Sequence, residues 1–66
     1  MRDMLIKSLR TRSEAQKAEG QATLEVYLNN AAGIGEHPQI VEEMAKQLDK
    51  IAAAEDSLSV LNKMVQ

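Results

Sequence analysis

Apolar residues recur along this chain at helical spacing in two long stretches, separated by one short stretch that cannot be helix throughout. From about residue 3 to 29 there is no proline and a single glycine. Ala, Leu, Glu, Lys, Arg and Gln, which lose least on entering a helix, dominate. This predicts one long helix. At 100° per residue, Met4, Ser8, Thr11, Ala15, Ala18, Ala22 and Val26 share a stripe, with Leu5, Ile6, Leu9, Leu24 and Tyr27 over the neighbouring sector. Gly20 weakens the middle by up to about 1 kcal/mol relative to Ala. It marks a bend, a point of close approach or an exposed fault.

A second helix is predicted over about 38–64, where the heptad is clearer. Val41, Met44, Leu48, Ile51, Glu55, Leu58, Asn62 and Val65 fall on successive a and d positions, and Ile40 and Leu61 widen the stripe. Pro38 suits a first helical turn, where its missing N–H and fixed φ cost nothing, and Glu42 and Glu43 follow where the helix dipole favours negative charge. The intervening turn, about 30–37, follows from its residues. Asn29 and Asn30 tolerate a left-handed cap, Gly33 and Gly35 supply positive φ where the chain reverses, and Ile34 can plug the end of the helix pair. So short a connection implies an antiparallel hairpin. That register sets Ala15, Ala18 and Ala22 against the region from Leu48 to Ala54, a close approach of small side chains, and puts Arg12 beside Glu55 and Asp56, and Glu19 beside Lys50.

In a lone hairpin each helix has one neighbour, so many of the large apolar side chains would stay in water. The expected architecture is therefore an all-α, antiparallel two-helix hairpin of one domain, residues 1–66, paired in a homodimeric four-helix bundle. The chain itself is the favoured partner; another protein would serve the same purpose. Val41, Met44, Leu48, Ile51, Leu58 and Val65 are the expected seam, with Glu55 and Asn62 as polar register devices on it, Glu55 paired with Arg12.

Composition narrows the function classes. Cysteine is absent, which removes disulfides, thiolate metal sites and a Cys nucleophile. The start, MRDMLIKSLRTRS, lacks the apolar run of a signal peptide, and no stretch approaches the roughly 20 apolar residues that cross a bilayer. A soluble cytoplasmic protein with no membrane partner is expected. Net charge is only −2, but Arg2, Lys7, Arg10, Arg12 and Lys17 lie early and most acids lie late. With one Tyr and no Phe or Trp, base-stacking platforms are nearly unavailable.

The candidate chemistry is thin. GIGEHP offers glycines and a helix start, but a phosphate loop needs a preceding strand and, in the Walker form, a Gly-Lys-Ser/Thr ending, and neither is found in the sequence. Glu36 and His37 are the only adjacent acid and imidazole, and a metal or proton-transfer site needs a third convergent group. They read as capping residues of the second helix, and neither metal nor cofactor is expected. No nucleophile–base pair stands out, so the protein is read as non-enzymatic. The alternative is a small nucleic-acid-binding regulator, similar only in architecture to the RNA-binding Rop type, with Arg2, Lys7, Arg10 and Arg12 on phosphates. Nucleic acid is the less favoured partner because many of these cations face acids in the predicted hairpin.

The segment VYLNNAAGIGEHPQIVEEMAKQLDKIAAAEDSL resembles small uncharacterised helical proteins encoded by tailed marine phages, which pair a YL helix end with a GIGEHP turn and an acidic helix. The resemblance covers about half of the chain, the turn and second helix. It implies a phage accessory role in the host cytoplasm and brings no site residues with it. Together these observations predict a small assembly, scaffold or adaptor protein.

Overall fold

The computed structural model describes residues 1–30 and 39–66. Helix α1 spans Arg2–Asn29 and helix α2 spans Ile40–Met64. The two pack against each other, and the direction is antiparallel: Arg10, early in α1, reaches Asn62, late in α2, while Glu19 meets Lys50 further along. Gly33, Gly35 and Pro38, with Ile34, Glu36 and His37, lie outside the described residues, as do the turn and capping roles expected of them.

The C-cap of helix α1, Asn30, is not left-handed. Asn30 sits at φ −115°, and both its backbone N–H and its side-chain amide donate to the carbonyl of Val26, at 3.1 and 2.9 Å. One asparagine thus satisfies a terminal carbonyl twice, which removes the need for positive φ at that position. Among the described residues no backbone adopts positive φ. Glu42 and Glu43 occupy the first turn of α2 and Lys63 its last, each on the side that the helix dipole favours.

Contact between the helices follows an alternating spacing of four and three on each. On α1 the inward row is Ile6, Arg10, Ser13, Lys17, Gly20, Leu24 and Tyr27; on α2 it is Ile40, Met44, Gln47, Ile51, Ala54, Leu58, Leu61 and Val65. Every one of these is partly or fully buried. The stripe expected of α1 faces outward instead: Met4, Ser8, Thr11, Ala15, Ala18, Ala22 and Val26 are all exposed. Large apolar residues are scattered around α1, so its own periodicity favours no single face. The side that α2 meets is the one carrying Ile6, Leu24 and Tyr27.

On α2 the row Met44, Ile51, Leu58 and Val65 points inward, but its companion row is Ile40, Gln47, Ala54 and Leu61 rather than Val41, Leu48, Glu55 and Asn62. The difference is a rotation of about 50°, half of the 100° step per residue. It exchanges two polar groups that would otherwise be desolvated, Glu55 and Asn62, for Ala54 and Leu61. The consequence is that Val41 and Leu48 turn to water, 71% and 56% exposed.

The close approach also shifts. Gly20, not the alanines, is the buried residue of α1, and a Cβ there would stand 2.8 Å from Cγ1 of Ile51 and 3.3 Å from the carbonyl oxygen of Gln47. Gly20 is therefore a point of close approach between the helices. Its counterpart on α2 is Ala54, 2% exposed. Among the described residues these two alone are buried outright.

Candidate interaction surface

The antiparallel packing leaves two broad faces, one on each side of the seam. The first has a groove lined by Leu9, Arg12, Ser13 and Gln16 of α1 and by Asp56, Ser57, Val60, Leu61 and Met64 of α2. The second has a groove lined by Arg10, Glu14, Lys17, Ala18 and Gln21 against Leu58 and Asn62. Helical spacing places Leu5 with Leu9 on the first face, and Val60 and Met64 repeat the same four-residue interval on the opposing helix. All four stand at the end of the hairpin where the chain begins and finishes, and all four are exposed, Leu9 at 56% and Val60 at 48%. The second face carries Leu28, Val41 and Leu48 near the other end.

The polar groups serve the hairpin. Arg10 donates from Nη2 to the side-chain oxygen of Asn62 at 2.9 Å, so the asparagine has a partner across the seam. Lys50 reaches Glu19 at 3.0 Å, and Lys46 reaches Glu43 at 3.1 Å within α2. Glu55 pairs with Lys17 at 3.5 Å rather than with Arg12. The heptad explains this: Lys17 lies on the inward row beside Glu55, whereas Arg12 sits across α1 in the first groove. All three ion pairs are at the surface, where such contacts are worth at most about 1 kcal/mol each.

The four cations considered as phosphate contacts do not form one stripe. Successive steps of 100° put Arg2 and Arg12 toward the first face, Lys7 toward the second, and Arg10 inward against Asn62. Among the described residues no three His or carboxylate side chains converge to hold a metal ion, and no helix is long and apolar enough to cross a membrane. The surface that the fold offers is apolar side chains rimmed by charge. No family model, curated protein or solved structure matches the chain.

The first-face cluster is not an element that the sequence pattern singled out. Leu5 and Leu9 are visible as a sector beside the alanine stripe, but only the antiparallel register brings them opposite Val60 and Met64. The i, i+4 repeats at the two ends of the chain are the signal in the sequence.

Proposed function

We propose that the protein works by self-association, as a small non-enzymatic assembly, scaffold or adaptor unit built from paired helical hairpins in a homodimeric four-helix bundle. The observation that carries this reading is how little is buried among the described residues. Gly20 and Ala54 are the outright buried residues among those described, while Leu, Val and Met side chains stand at about half exposure or more on both faces. Burying apolar surface is the main source of folding free energy, and a two-layer hairpin leaves much of it unused. A second copy laid on one face supplies the missing layer. The resemblance to proteins of tailed phages suggests an accessory role in such a particle or its host, with the bundle's outer surface meeting other components.

The test is the helicity of the chain by circular dichroism over a hundredfold dilution. Self-association coupled to folding predicts that helicity falls and that the thermal midpoint drops as concentration drops. Helicity and midpoint that do not change with concentration would reject it.

A further inference from the structure

Resting on the self-association reading, we infer that the second copy docks on the face formed by Leu5, Leu9, Val60 and Met64, about a two-fold axis parallel to the hairpin's length. In that arrangement Arg12 of each subunit meets Asp56 of the other.

The size of the uncovered surface fits a second copy. The chain exposes 5197 Å², whereas a compact monomer of 7.3 kDa exposes about 4,200 Å². The excess, on the order of 1,000 Å², is comparable to the roughly 800 Å² that each partner buries in a standard interface. The shape agrees: the backbone measures 49 × 15 × 13 Å, with a radius of gyration of 15.2 Å against about 11 Å for a compact chain of this length.

Symmetry then selects the face. A two-fold axis along the hairpin lays α1 of one subunit against α2 of the other, running in opposite directions, so every pair of neighbouring helices in the bundle is antiparallel. The register within the hairpin carries over to the facing pair, because Leu9 and Val60 already line one groove at one level. On the first face Leu9 therefore lies over Val60 of the partner subunit, and Leu5 over Met64 of the partner subunit.

Further along, Arg12 comes to Asp56 of the partner subunit at the outer rim, and isology makes that pair twice. Both residues line the groove as its only charged side chains, and neither belongs to an ion pair among the described residues. On the second face the same operation sets Glu14 near Glu55 of the partner subunit, like charge against like, where Glu55 is already paired with Lys17 of its own chain. Charge complementarity thus favours the first face.

The experiment compares molecular masses by sedimentation. Val60→Lys is expected to weaken dimerisation by at least about tenfold, since it puts a charge at the apolar centre, while Leu48→Lys on the opposite face leaves the mass unchanged. Because Val60→Lys removes the surface that drives folding, a second pair of variants keeps the test free of that effect. Arg12→Glu and Asp56→Arg each place like charges across both rim contacts and are expected to weaken their own homodimers several-fold. Mixed one to one, they restore both pairs and form a heterodimer of near wild-type affinity. Only contact between subunits can produce that rescue.

If the mixture shows no rescue, or if Leu48→Lys disrupts the dimer while Val60→Lys does not, the face assigned here is overturned and self-association stands. If the unaltered chain is monomeric at every concentration, the self-association reading falls first and takes this inference with it.

Discussion

Gly20 presents hydrogen where any other residue presents carbon, and the hairpin uses that difference where α2 packs closely on it. An alanine there gains about 1 kcal/mol of helix propensity. Its Cβ would, however, press within 2.8 Å of Ile51 Cγ1 and 3.3 Å of the Gln47 backbone carbonyl oxygen. Overpacking of this kind costs about 1–3 kcal/mol, so net of the propensity gain Gly20→Ala is expected to destabilise by up to about 2 kcal/mol at fixed protein concentration in denaturant unfolding. Ile51→Ala removes Cγ1 and should make Gly20→Ala neutral or favourable in the double variant. A cycle with no coupling between the two positions would show that the contact carries no strain. The sequence announced a special position in the middle of α1 but left its purpose open, since a glycine gains its meaning only from what packs on it.

Helix limits were legible because glycine, proline and asparagine cluster in one place and good helix formers fill the rest. The inward face of each helix was less so. On α2 the stripe is wide enough to be centred on either of two rows. The hint was the presence of Glu55 and Asn62 in the row that includes Val41 and Leu48; a rotation of half a step frees both polar groups. On α1 the inward row has Arg10, Ser13 and Lys17 through its first half, so no apolar periodicity could reveal it. That polar half is a weak point of the element. Lys17→Leu sacrifices a surface pair with Glu55 worth under about 1 kcal/mol and adds apolar burial worth about 1–2 kcal/mol on a partly buried position. The variant is expected to raise the thermal midpoint by a few degrees; a lower midpoint would mean that the Lys17–Glu55 pair sets the register of the hairpin.

At the scale of the whole molecule, the two helices pack along their lengths in a rod 49 Å long and 15 by 13 Å across the backbone. Two helices bury little between them, Gly20 and Ala54 alone being fully buried among the described residues, and the interaction face proposed above is written in residues at opposite ends of the chain that only the fold brings together. The most direct measurement is the molecular mass of the unaltered protein by sedimentation equilibrium over a range of concentrations. A mass approaching twice 7.3 kDa, falling to the monomer value on dilution, is the expected result. A fully helical monomer at high concentration would contradict it.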